Sequence, residues 1–197
     1  IDPSKIRADL DHGAIVLVAG FQGIDRSGTI TTLGRGGGDT SAVALAHALA
    51  AEVCELYSDV DGIFTADPAI CENASKIEKI SYDEMLELAS QGARGVQIRA
   101  IEYAKKHSVT IHVRSAFTAE RGTLVVKEHM PMEGVVVTGI VADKNEAKIA
   151  VLGVPDKPGS AAKILTGLAD KDISVDMIVQ NVGQDGLADI TFSISKT

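Results

Sequence analysis

The stretch Thr31-Thr32-Leu33-Gly34-Arg35-Gly36-Gly37-Gly38-Asp39-Thr40-Ser41 constrains this chain most, because it sets four glycines within five residues directly ahead of a helical apolar pattern. Without Cβ atoms the backbone amides can close on an anion, and the loop feeds the positive end of the helix that follows. Arg35 adds a planar fork suited to a carboxylate or phosphate. Asp39 beside an anion implies a metal, a lysine or a transferring group for it to hold. The alternative is a flexible linker with a capping Asp. The loop is not a Walker loop, since no Gly-Lys-Ser/Thr follows, nor a Rossmann fingerprint, since the spacing differs.

Glycine also separates apolar runs of different period. Ala14 to Ala19 is a continuous apolar run closed by Gly20, which predicts a buried parallel strand with a binding loop after it. Thr40 to Ala51 places Ala42, Leu45, Ala46 and Leu49 on one face, predicting a buried helix capped by Asp39 or Thr40. Val53 to Tyr57 reads as a strand, followed by the Asp61-Gly62 turn. Ser81-Tyr82-Asp83-Glu84 has the capping-box form, and its helix carries Met85, Leu86, Leu88 and Ala89 toward Gly92. A helix over 96–107 and strands over 109–113 and 123–126 complete an alternating series typical of a layered α/β domain.

After Pro131-Met132 the pattern changes. Strands are predicted over 135–142 and 147–154, joined by Asp143-Lys144-Asn145-Glu146. Asp156-Lys157-Pro158-Gly159 then leads into a helix ending near Asp170, with strands over 173–182 and 187–195. Two domains are expected, 1–130 and 131–197. An open ferredoxin-like sheet would need a further helix and strand, and the first residue is Ile1, so the chain is expected to be cut at both ends.

Composition excludes some functions. With 19 Lys+Arg against 27 Asp+Glu the formal charge is −8, which argues against the concentrated basic face that nucleic acid requires. No apolar run reaches the roughly 20 residues of a membrane helix, so no membrane partner is expected. Cys54 and Cys71 have no framework spacing and are expected as reduced thiols in the cytoplasm. The five histidines show no metal-ligand spacing with Cys or acids, so no protein metal site is expected. Tyr57 to Pro68 holds Asp59, Asp61 and Asp67 at a strand end, where open α/β sheets bind ligands, but lacks calcium-loop spacing. An acidic turn is the plainer reading of that segment.

Thr31–Thr40 with Tyr57–Pro68, together with Glu84-Met85-Leu86-Glu87-Leu88-Ala89 and Gln97-Ile98-Arg99-Ala100-Ile101-Glu102-Tyr103-Ala104, resembles the aspartate kinases of the amino acid kinase family. Gly153 to Gly159 and Val175 to Asn181 resemble the ferredoxin-like ACT module attached to those enzymes. The resemblance implies ATP-dependent phosphorylation of the L-aspartate side chain to 4-phospho-L-aspartate, with Mg2+ accompanying ATP. That is the first step toward lysine, threonine and methionine. The substrate carboxylate itself attacks the γ-phosphorus, so positioning and charge neutralisation carry the catalysis.

By resemblance, Arg35, Gly36, Gly37 and Gly38 hold the substrate carboxylate, and Asp39 and Arg94 are the catalytic residues, Asp39 orienting groups and Arg94 lying near the phosphates. Ser58, Asp59, Phe64, Thr65, Ala66, Asp67, Pro68, Ala69 and Arg94 contact ATP. Gly38 stands where the family usually has Ser, Phe64 where it has Tyr, Ala69 where it has Arg and Arg94 where it has Lys. The family's Lys-x-Gly-Gly loop and a substrate-binding Glu have no counterpart here, so this segment alone is expected to be inactive. Asp156, Lys157, Pro158, Gly159, Ser160 and Ala161, with Ser174, Val175, Asp176 and Gln180, would bind lysine or threonine as effectors. A homo- or hetero-oligomer through the ACT modules is implied. The competing readings are a noncatalytic regulatory chain and an amino acid kinase of another substrate.

Overall fold

The computed structural model describes residues 1–93, 95–127 and 137–196. They divide into two compact units, Ile1–Ala142 and Asp143–Thr197. The boundary expected between residues 130 and 131 lies outside the described residues.

In the first unit, α1 (Ser4–Asp11) precedes a hairpin of β1 (Gln22–Ile24) and β2 (Ile30–Thr32), which delivers the chain to α2 (Gly37–Leu49). Then follow β3 (Cys54–Ser58), β4 (Ile63–Phe64), β5 (Lys76–Ile77), β6 (Lys79–Ser81), α3 (Tyr82–Ser90), α4 (Ile98–His107), β7 (Ile111–Ser115) and β8 (Thr123–Val126). The main sheet has the order β3-β7-β8-β6, parallel at β3–β7 and β6–β8 and antiparallel at β7–β8. Side chains alternate across it. Cys54, Ile111, Val113 and Val125 join Val43 of α2, Met85 of α3 and Ile101 of α4 in one buried core. On the other face Glu55 accepts from Arg114 at 3.0 Å and from the Tyr57 hydroxyl at 2.9 Å. The Arg114 hydrogen bond, followed by that of Tyr57, holds the Glu55 carboxyl below its usual range.

The start of α3 follows the sequence closely. Ser81 Oγ accepts from the Glu84 N–H at 3.2 Å and the Glu84 carboxylate accepts from the Ser81 N–H at 3.0 Å. The Tyr82 hydroxyl donates to Val109 O at 2.7 Å, tying this helix to the approach to β7. Buried Thr123 joins the β4–β5 hairpin to the sheet: its Oγ1 accepts from the Ile63 N–H at 2.8 Å and donates to Ile77 O at 2.6 Å.

Three expectations are corrected. Ala14 to Ala19 forms no strand, and Ile15 and Leu17 are almost fully exposed. A wholly apolar strand needs hydrogen-bonded neighbours and cover on both faces, and no described strand lies alongside this run. α2 begins at Gly37 with Gly36 as N-cap and no side-chain cap, so Asp39 and Thr40 sit inside its first turn. Finally, 137–142 is not a strand and belongs to the first unit: the Ile140 N–H donates to Thr65 O at 2.7 Å and Val141 packs on the first core. Residues 135 and 136 lie outside the described residues.

The second unit is an antiparallel sheet with a helix on one face, formed by β9 (Glu146–Pro155), α5 (Ser160–Ala169), β10 (Val175–Val182), a 3-10 turn (Gln184–Gly186) and β11 (Leu187–Ser195). The order is β10-β11-β9. Val154, Ile190 and Phe192 are buried beneath Ala161, Ile164 and Leu168 of α5. The alternation of Ile190, Phe192 and Ile194 along β11 selects that face. No helix among the described residues is long and apolar enough to cross a membrane.

Two predictions follow from the packing of the first unit. Thr123→Val takes the acceptor from the Ile63 N–H and the donor from Ile77 O and is expected to cost about 2 kcal/mol in chemical denaturation; an unchanged midpoint would contradict the role given to Thr123. At the far ends of α2 and α4, the tilted His107 ring contacts both His47, 4.1 Å away, and Tyr103, 4.3 Å away, and His47 meets Tyr103 edge to face at 6.2 Å. Burial, then the neighbouring His47 and Lys106, lowers the His107 pKa. The unfolded chain therefore binds the extra proton, and stability falls as pH drops below about 6.5. His107→Phe should flatten that part of the melting-temperature profile, whereas an unaltered slope would refute the ring cluster as its source.

Candidate functional site

The glycine loop lies between the starting turns of α2 and α4. Gly36 is left-handed, with φ +73°, and a Cβ there would overlap the Gln97 side chain, falling 2.7 Å from Gln97 Cβ. A Cβ at Gly37 would lie 2.8 Å from Leu33 Cβ, whereas Gly38 faces open space. Only Gly fits at Gly36 on both conformational and steric grounds. The loop is further held by the Thr40 hydroxyl donating to Gly36 O at 3.0 Å and by Ser41 Oγ, which donates to Gly37 O and accepts from the Phe21 N–H at 3.1 Å.

From α4, Arg99 Nη2 donates to Leu33 O at 2.8 Å and to Arg35 O at 2.7 Å. Asp39 Oδ2 accepts from the Gln97 N–H at 3.3 Å. The Arg35 side chain is exposed and has no salt-bridge partner among the described residues. The Gly37 N–H is spent on Gly34 O at 2.9 Å, so the arrangement offers a free guanidinium, the remaining amides at the start of α2 and one fixed carboxylate, which suits an anionic ligand. Burial, with Asp39 as the second cause, pushes the Cys54 thiol up to about 11. That thiol stays protonated and is no nucleophile at neutral pH.

A second group of residues follows β3. Ser58 ends β3 beside Ser115 at the end of parallel β7, and Ser58 Oγ accepts from the Val60 N–H at 3.3 Å. Asp59 is exposed, while Asp61 accepts from the Thr118 hydroxyl at 2.6 Å. Phe64 pairs with Lys76 across the β4–β5 hairpin. Thr65 is fixed by its N–H to Ser75 O at 2.8 Å and by the Ser75 N–H to its Oγ1 at 3.0 Å. Half-buried Ala66 leads into an exposed turn over Asp67, Pro68 and Ala69, in which Asp67 Oδ1 accepts from the Ala69 N–H at 2.9 Å. Arg94 lies outside the described residues. Arg35, Gly36, Gly37, Gly38 and Asp39 thus share one mouth, and Ser58, Asp59 and Phe64 to Ala69 line the next turn and hairpin along the chain.

In the second unit, Asp156, Lys157, Pro158, Gly159, Ser160 and Ala161 line a cavity of about 350 Å3 with Gln180 of β10. Gly159 is the left-handed N-cap of α5, with φ +92°, and the Asp156 N–H donates to Gly186 O at 2.9 Å. Ser174, Val175 and Asp176 do not line it. The register explains this: Val175 pairs with Ile194 and Gln180 with Ile190, and the five residue steps from Val175 to Gln180 span roughly 17 Å of strand.

Sequence reasoning assigned no role to Gln97, Arg99 or Ser41. A signal existed for Arg99, because a cation in the first turn of a helix opposes the dipole and must answer to something else. Gln97 offered none, since its role depends on a glycine far away in the chain.

The amino acid kinase family model matches residues 1–115 and the ACT domain model residues 148–197. An aspartokinase of Corynebacterium efficiens is 52% identical over 202 residues, covering 100% of this chain and 48% of that relative. The crystal structure of E. coli aspartokinase III in complex with lysine and aspartate, in its T-state, superposes with a TM-score of 0.75 at 27% identity, covering 99% of this chain and 43% of that one. The aspartate kinase of Clostridium acetobutylicum superposes at 0.76 with 29% identity, over 90% of this chain and 40% of that one. The chain spans about half the length of the curated relatives it matches.

Gly36 and Gly38, two residues apart, should respond oppositely to a methyl group. Gly36→Ala is expected to destabilise by about 2 kcal/mol, through strain at positive φ and the clash with Gln97, and to loosen the loop. Gly38→Ala, inside the helix and facing open space, should be neutral or stabilise by up to about 1 kcal/mol. Denaturation midpoints of the two variants would test this, and equal shifts would contradict it.

Proposed function

The chain belongs to the amino acid kinase family, and from that premise we propose that the protein is an aspartate kinase that transfers the γ-phosphoryl group of ATP to the side-chain carboxylate of L-aspartate. The observation that carries this reading is the glycine mouth at α2, where Arg35 and the amides that start the helix meet a fixed Asp39. A guanidinium fork and helix-start amides recognise a carboxylate without needing to titrate. The names of relatives about half identical to the whole chain support aspartate as the acceptor.

Arg35 with Gly36, Gly37 and Gly38 holds and orients the substrate. Asp39, kept in place by the Gln97 amide, orients groups around the acceptor rather than attacking. An aspartate oxygen forms the new bond to the γ-phosphorus while the bond to the β,γ-bridging oxygen breaks and ADP leaves. The attacking carboxylate is ionised, so no general base is required. Ser58, Asp59 and the segment Phe64 to Ala69 hold the nucleotide, and Arg94 adds a cation near its phosphates. The exposed Asp59 carboxylate fits a hard cation. Among the described residues no three His, Cys, Asp or Glu side chains converge on a metal position. Mg2+ would then be held mainly by the phosphates of ATP, where it neutralises charge on the transferring group.

The cavity at Asp156–Ala161 and Gln180 has room for an amino acid, with Asp156 available for an α-ammonium and the start of α5 for an α-carboxylate. We assign it to lysine or threonine as feedback effector, placing the protein in the cytoplasmic pathway to those amino acids. The ACT unit would associate with another copy or with a partner subunit.

Coupled ADP release by the full-length protein tests both assignments. Aspartate-dependent turnover that lysine or threonine suppresses is expected. Asp39→Asn should lower kcat by about 100-fold. Asp156→Ala should raise the half-inhibiting effector concentration by about tenfold. Preferential use of glutamate or N-acetylglutamate would contradict the acceptor assignment, and inhibition unaltered in Asp156→Ala would contradict the effector site.

A further inference from the structure

We propose that Arg99 is a positioning residue that shapes the glycine mouth and so sets the affinity for the substrate carboxylate; this deepens the aspartate kinase reading and rests on it. One nitrogen of Arg99, Nη2, donates to both Leu33 O and Arg35 O, at 2.8 and 2.7 Å. These carbonyls flank Gly34, whose φ of +75° turns the chain between them. A trans peptide unit is planar, with its N–H opposite its C=O. Drawing Leu33 O and Arg35 O toward α4 therefore turns the N–H groups of Gly34 and Gly36 away from Arg99. Arg99 thus fixes the direction of the Gly36 amide without touching the substrate.

The placement of Arg99 supports a dedicated role. It stands in the first turn of α4, where its charge opposes the helix dipole, and two charge-assisted hydrogen bonds to carbonyls offset that cost. Two independent contacts hold α4 at the distance Arg99 needs. Gln97 fills the space beside Gly36, and its N–H donates to Asp39. The same turn of α4 therefore orients the amide at Gly36, the backbone that carries the Arg35 side chain and the Asp39 carboxylate. A lysine at this position could donate to the same carbonyls as a point charge, without the planar fork.

The test uses the full-length protein with Arg99→Met and Arg99→Lys. Arg99→Met is expected to raise the aspartate KM about fivefold, with the ATP KM within about twofold and the thermal midpoint unchanged; Arg99→Lys should recover part of the loss. Hydrogen exchange at residues 34–39 should accelerate in Arg99→Met and return toward wild type in Arg99→Lys. An unchanged aspartate KM in an active enzyme overturns the proposal and leaves the aspartate kinase reading standing. Equal rises in both KM values with a lower midpoint also overturn it, since they mark a general structural role. If the wild type releases no ADP with aspartate, the functional reading falls and exchange alone judges the clamp. Faster loop exchange in Arg99→Met then supports the hold on the loop, and unaltered exchange overturns it.

Discussion

Gly36 holds φ +73° because it has no Cβ, and the Gln97 side chain occupies the space a Cβ would need. The pairing brings the first turns of two helices together at one point. α2 can then begin without a side-chain cap, since the loop ahead of it is held by Arg99 from α4 and by Thr40 and Ser41 from the first turns of α2 itself. The far ends of the same helices meet in the cluster of His47, His107 and Tyr103. Between these contacts Val43 and Ile101 reach the sheet, so the order of the core and the order of the mouth share a cause.

Where a signal was local, the sequence carried it. The Ser81–Glu84 capping box predicts the start of α3 to the residue, and the strand expected over 187–195 is β11. Signals that depend on distant partners misled. Ala14 to Ala19 has the composition of a buried strand, but pairing decides whether such a run becomes one. Asp39 has the chemistry of an N-cap, yet the left-handed glycine before it took that place and left the carboxylate to meet Gln97. The segment 135–142 reads as the first strand of a new module, but the Ile140 amide is claimed by Thr65.

The site shows the same division. The anion-binding character of residues 34–39 is legible from the absence of side chains alone, and Asp156 to Ala161 announces a strand-to-helix turn. What holds the first loop in shape is not legible, because Gln97 and Arg99 lie some 60 residues away in the chain. In the second unit register decides membership of the cavity: Gln180 reaches it, and Val175, at the other end of β10, does not. Both sites place glycine in a left-handed N-cap, which suits the recognition of small carboxylates by backbone amides.

The most direct test of this account is a crystal structure of the full-length protein with aspartate and ADP. The account predicts an aspartate carboxylate within hydrogen-bond distance of the Arg35 guanidinium and the Gly36 amide, with Arg99 still bound to Leu33 O and Arg35 O. Aspartate bound elsewhere, with the glycine mouth empty or filled by nucleotide, would contradict it.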